Sequence, residues 1–171
     1  MLGDILCNIF FPETTLQNNN LLTVIPLIST EWSLTFNLLI FEISTGFGNI
    51  IHFTIGDNGN AIGTRNPMIF AEPHKAALQF KSSANGQIQV PLNYPNPFPI
   101  DLKKKLHIEV HQRYLQGGKY RLYAVIDGKE IKSYENADAR MFHNMKVYVG
   151  GDPWYPAAKA NISDLEFTNF L

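Results

Sequence analysis

From Trp32 the chain alternates. Trp32, Leu34, Phe36, Leu38 and Ile40 share one side of an extended segment; Ser33, Thr35, Asn37, Leu39 and Phe41 share the other. Successive side chains of a strand point to opposite faces, so one side meets a core and the other stays mixed. Leu106, Ile108 and Val110 alternate in the same way with His107, Glu109 and His111. No segment holds a period of about 3.6 over ten or so residues, so helices are not the building unit here.

Strands are expected over Gly3–Phe11, Leu21–Ser29, Trp32–Ile43, Asn49–Ile55, Pro67–Ala71, Lys75–Ser82, Gly86–Val90, Lys105–Leu115, Lys119–Ile126, Lys129–Tyr134, Met145–Val149 and Asn161–Phe170. Asn85-Gly86 and Asp127-Gly128 are hairpin signals, since both turn positions must accept positive φ. Pro26 marks Leu21–Ser29 as an edge or bent strand. The four prolines of Pro91–Pro99 suit an extended connection. Asn136–Asn144 is a polar link with room for a helical turn. The break in alternation between Ile162 and Leu165 predicts a bulge at Ser163-Asp164. About twelve short strands with regular turn signals give an all-β, two-sheet antiparallel β-sandwich. The 171 residues form a single domain in this reading, with no internal repeat.

Charge narrows the partners. Fourteen basic and 15 acidic residues leave a net charge of −1, which offers no general attraction for nucleic acid or an anionic membrane. Apolar runs such as Leu21–Ile28 are too short for a membrane span. Met1–Cys7 lacks a basic start and carries Asp4 early, so no signal peptide is expected there. Cys7 is the single cysteine, which excludes an internal disulfide and leaves a buried thiol or a bond to another chain.

Trp32-Ser-Leu-Thr-Phe, Ile51-His-Phe-Thr-Ile-Gly, Arg65-Asn-Pro-Met-Ile-Phe, Leu106-His-Ile-Glu-Val-His-Gln, Asn144-Met-Lys-Val-Tyr and Asp152-Pro-Trp-Tyr stand in that order between Glu31 and Phe170. Together they resemble the laminin G-like, concanavalin A-like lectin jelly-roll family, in a version found in extracellular and matrix proteins of marine invertebrates. The resemblance implies two packed antiparallel sheets, a concave face, binding through rim loops, a secreted or extracellular setting, and calcium held by rim acids such as Asp57 and Asp152. It does not fix a function, because this fold hosts lectins, adhesion modules and glycan hydrolases.

Candidate sites each have a simpler account. His107, Glu109 and His111 project from one strand face and could hold zinc with a fourth ligand, or line a groove; they also suit the polar face of a sheet. Asp57, Asn58 and Asn60 form an oxygen-rich loop, which ordinary turn chemistry also explains. Trp154 and Tyr155 follow Asp152-Pro153 in a rigid turn, fit either to stack on a sugar or to plug the end of the sandwich. Arg65 could bond to an acidic or hydroxylated ligand, or sit in a salt bridge. Asn161-Ile162-Ser163 is a glycosylation sequon, relevant if the chain is secreted.

No closely spaced carboxylate set of the glycan-hydrolase kind is present, so an enzyme is not expected. The expectation is a non-catalytic extracellular module that binds a glycan or a protein through rim loops or the concave face. A structural or adhesive matrix protein, self-associating through a sheet edge as a homo-oligomer, is the alternative. A glycan-active enzyme comes third.

Overall fold

The structure, a computed structural model, describes residues 12–93 and 97–170. Gly3–Phe11 and Cys7 lie outside them. Thirteen strands form two antiparallel sheets, with no helix among the described residues. The first sheet runs β1 (Thr14–Thr15), β13 (Ala160–Phe170), β3 (Glu31–Ile40), β9 (Lys105–Gln116), β10 (Lys119–Ile126), β11 (Lys129–Asn136). The second runs β2 (Leu21–Ile28), β12 (Phe142–Val149), β4 (Gly48–Thr54), β5 (Met68–Ala71), β6 (Ala77–Ala84), β7 (Gln87–Pro91), with β8 (Phe98–Pro99) also against β6. The expected sandwich is the observed one.

The alternation read from the sequence is the packing. Trp32, Leu34, Phe36 and Leu38 of β3, with Leu106, Ile108 and Val110 of β9, are buried in the core. They meet Ile51 and Phe53 of β4, Ile69 of β5 and Phe80 of β6 from the second sheet. Phe167 of β13 lies between the layers, 5.2 Å from the Phe53 ring and 6.3 Å from that of Trp32.

Turn chemistry is as expected at both hairpins: Asn85 and Gly86 have φ of 51° and 71°, Asp127 and Gly128 of 50° and 76°. The β13 bulge is also present, with its register shifting between Ser163 and Glu166 and Asp164 at φ 52°. β2 is an edge strand.

Three expectations are corrected. Asn136–Asn144 holds no helical turn; its polar side chains are spent on tertiary bonds, with Asn136 Nδ2 donating to Gln112 Oε1 over 2.7 Å and its Oδ1 accepting the Asn85 N–H over 2.9 Å. β12 then starts at Phe142. Pro91–Pro99 is not wholly outside the ladders: Pro91 closes β7 opposite Lys81, and Phe98–Pro99 pairs with Ala77–Leu78. Proline is tolerated at such edge positions because its carbonyl still accepts. β3 stops at Ile40, short of Ile43, because the Phe41 N–H turns to the Lys159 carbonyl.

Candidate functional site

The turn after β12 is built from its buried acid. Asp152 is 4% exposed. Its Oδ1 accepts the N–H groups of Trp154 (2.8 Å) and Tyr155 (2.7 Å), so one carboxylate oxygen shapes the aromatic turn. Its Oδ2 lies 2.7 Å from Nδ1 of His52, a fully buried residue of β4. His52 Nε2 lies 2.7 Å from the Thr64 carbonyl. Trp154 stands edge-on to His52 at 5.5 Å and to Tyr148 at 6.4 Å, and is 37% exposed. Burial, with the Asp152 charge, raises the pKa of the Tyr148 hydroxyl.

Two glycines let the chain close this corner. A Cβ on Gly150, at φ 96°, would sit 2.5 Å from the Gln17 carbonyl oxygen, and one on Gly151 would sit 2.7 Å from Asn18 Cα. The Gly151 N–H donates to Gln17 O over 2.8 Å, and Asn18 Oδ1 accepts the Ala157 N–H over 2.7 Å.

Beside the turn, on the outer face of the second sheet, is a cleft of about 190 Å³ lined by Phe47, Arg65, Met68, Phe70, Gln79, Lys81, Gln89 and Tyr155. Strand register makes its floor: His52 pairs with Met68, Met68 with Lys81, and Phe70 with Gln79. One wall is aromatic, with Phe47 edge-on to Phe70 at 5.4 Å and to Tyr155 at 6.0 Å. The other is polar. Arg65 Nε donates to Asn58 Oδ1 over 3.1 Å and its Nη1 to Gln89 Oε1; Gln79 donates to Glu72. Burial, then the Arg65 charge, lowers the pKa of Lys81, against a smaller opposing pull from Glu72.

Two wider hollows, of about 640 and 630 Å³, lie beside the β9–β10 hairpin and beside β1. Their charges are mutually satisfied, Lys119 by Glu135 at 2.7 Å and Lys159 by Glu42 at 2.6 Å. The smaller cleft combines three aromatic rings with converging amides and cations, the composition of a ligand site.

Arg65 and Tyr155 thus share the cleft, with Trp154 next in the same turn. Asn58 reaches it only through Arg65. His107, Glu109 and His111 lie elsewhere, on the outer face of the first sheet, because their neighbours Leu106, Ile108 and Val110 face the core. His107 Nδ1 lies 2.9 Å from Asn37 Oδ1; His111 Nε2 lies 3.0 Å from Glu109 Oε2 and its ring stacks on Tyr123 at 4.8 Å. Among the described residues no group of three or more His, Cys, Asp or Glu could hold a metal.

The acids expected to hold calcium each have partners within the protein. Asp57 Oδ1 accepts its neighbour Asn58 N–H over 2.6 Å, Asn60 donates to its Oδ2 over 3.1 Å, and its carbonyl accepts from Thr54. Asp152 has both oxygens on protein partners. Asn161, the sequon residue, is inside β13, accepting from Thr15 over 2.8 Å and donating to Glu13 over 3.1 Å.

The sequence reading missed His52, Lys81, Gln79, Gln89, Phe47 and Tyr148. Gln79 and Lys81 left a signal as polar residues alternating with Leu78 and Phe80 in β6, as did His52 between Ile51 and Phe53 and Gln89 between Ile88 and Val90.

No protein-family model matches the sequence, and no curated protein does. Solved structures do share its fold. A native heptameric SAP-like pentraxin from Limulus polyphemus superposes with a TM-score of 0.61 at 12% identity, over 91% of this chain and 75% of that one. An alginate lyase solved with an alginate trisaccharide gives 0.54 at 15% identity, over 93% and 81%. A Trypanosoma rangeli sialidase gives 0.56 at 14% identity over 82% of this chain and 21% of the sialidase. At such identities the likeness is one of fold, and the chain is a concanavalin A-like jelly-roll sandwich.

Proposed function

We propose that this chain is a non-catalytic glycan-binding module whose site is the cleft on the outer face of the second sheet. One observation carries the reading: the Phe47, Phe70 and Tyr155 rings stand beside Arg65, Gln79, Lys81 and Gln89 in a single hollow. A sugar presents an apolar face to rings and hydroxyls to amides and cations, and the cleft offers both. Sialidase–sialic acid and alginate lyase–alginate complexes on related folds support a sugar as ligand. Within the proposal, the module is laminin G-like and works outside the cell, and binding needs no calcium.

Tyr155→Ala tests the site. It should weaken oligosaccharide binding by calorimetry about tenfold, the loss of one stacking contact and its rim, with the melting temperature held within a few degrees. Unchanged affinity would remove the cleft from consideration. Prolonged incubation with polysaccharide should release neither new reducing ends nor unsaturated products; either product would make the protein an enzyme. Affinity in excess chelator should equal that in calcium.

A second reading, self-association, has its own observation. β2 is an edge strand without a charged residue, and its Leu21 and Val24 are 45% and 43% exposed. In the first sheet, the edge strand β11 carries Lys129, Glu130, Lys132 and Glu135, the usual guard against edge pairing. A concentration-dependent dimer abolished by Val24→Lys would support this reading.

A further inference from the structure

Resting on the glycan-binding reading, we infer that the cleft selects an acidic sugar, with a carboxylate or sulfate bound by Arg65 and Lys81. The chain has four arginines. Three meet carboxylates: Arg113 with Glu31 at 2.9 Å, Arg121 with Glu130 at 2.6 Å, and Arg140 with Asp138 at 2.6 Å. Arg65 instead bonds to the neutral amide oxygens of Asn58 and Gln89, and among the described residues it forms no ion pair. Its charge is positioned but not neutralised.

The positioning is built in. The Gly56–Asn60 loop wraps the guanidinium, with Asn58 on Nε and Gly59, at φ 108°, beneath Nη2; a Cβ on Gly59 would lie 3.2 Å from that nitrogen. The loop is itself pinned by Asp57, which takes the Asn58 N–H and the Asn60 amide. The residues that look like a calcium loop thus serve as an arginine cradle. Gln89 holds Nη1 from β7, so the fork is fixed on two sides.

Lys81 is the second cation of the same cleft and likewise forms no ion pair among the described residues. The acid acting on it, Glu72, takes a hydrogen bond from Gln79. Two cations in one partly buried hollow repel each other: burial first, and then the Arg65 charge, lowers the pKa of Lys81. An anion between them relieves both, and a guanidinium fork matches the planar geometry of a carboxylate or the oxygens of a sulfate. Tyr155 and Phe47 stand at the same cleft to receive the ring that carries the anion.

The test is calorimetry on the whole chain with three oligosaccharides of equal length: a uronic-acid oligomer, a sulfated neutral-sugar oligomer and an uncharged glucan oligomer. At least one acidic oligomer should bind about tenfold tighter than the glucan at low salt, and the advantage should shrink as salt rises. Arg65→Gln and Lys81→Gln should each remove that advantage, bringing the ratio of acidic-oligomer to glucan affinity close to one; Lys81, at the surface of β6, carries the test if Arg65→Gln fails to fold. Whether the uronate or the sulfate arm responds identifies the anion. Equal affinity for all three, lost in Tyr155→Ala, overturns the charge inference and leaves the glycan reading standing. Binding of none overturns both.

Discussion

His52 shows how much one buried residue organises. Both of its ring nitrogens face oxygens that accept, the Asp152 carboxylate and the Thr64 carbonyl. Asp152 in turn fixes the backbone of Trp154 and Tyr155. Removing one partner of such a buried pair strands the other, at a typical cost of about 3–5 kcal/mol. His52→Ala should therefore lower stability by that order in denaturant titration and red-shift the fluorescence of Trp154. Trp154→Ala should cost about 2 kcal/mol, less than the about 3–5 of a fully buried Trp, because a third of this ring is already in water. A melting temperature unchanged by Trp154→Ala would show that the ring does not hold the turn. Gly150→Ala should be worse than its one added methyl suggests. Its Cβ would meet the Gln17 carbonyl at 2.5 Å and its φ is 96°, so strain and clash act together.

At the scale of the element, β9 separates its two faces cleanly. Leu106, Ile108 and Val110 fill the core, while His107, Glu109 and His111 form a row on the outer surface in which His111 is hydrogen-bonded to Glu109 and His107 to Asn37. Burial against Tyr123 lowers the His111 pKa despite the opposing Glu109 hydrogen bond. The unfolded chain, with an ordinary imidazole near roughly 6.5, then binds the proton more readily than the folded one. Stability from this residue is present above that value and is lost as pH falls from it toward the lowered folded value. Replacing His111 with Gln should flatten the acid side of the stability–pH curve in that window, measured by denaturant midpoints. An unchanged slope would show that the imidazole is not desolvated. The same element-scale logic explains β13, where the Asp164 bulge shifts the register from Ser163–Asn37 to Glu166–Thr35 and keeps Leu165 and Phe167 buried.

For the whole molecule, closure of the sandwich brings distant segments together at the cleft. Phe47 precedes β4, Arg65 lies between β4 and β5, Gln89 is in β7, and Tyr155 follows β12. The Lys146–Pro156 segment is the joint: the Gly150 N–H donates to Ile50 O over 2.8 Å, the Asn49 N–H to Pro156 O over 2.8 Å, and the Asn20 N–H to Gly151 O over 2.9 Å. It supports the fold and presents Tyr155 at once, so architecture and binding are two consequences of one corner.

Alternation, turn residues and the bulge were legible in the sequence because they are local. A period of two, an Asn-Gly pair and a missed beat between Ile162 and Leu165 are set by neighbouring residues and the pleat they share. The polar row His107-x-Glu109-x-His111 was legible as a row, but not the sheet face it would occupy. Arg65 and Tyr155 were visible as candidates, yet nothing local linked them to Lys81 or Gln89. His52 showed only as a polar position between Ile51 and Phe53, and its role did not show, since its partners Asp152 and Thr64 are separated from it by 100 and 12 residues. Strand order decides which outward side chains become neighbours, and strand order is a property of long-range pairing. The chain's own pattern determined a two-sheet antiparallel sandwich. Only the tertiary structure put two cations, two amides and three aromatic rings into one hollow.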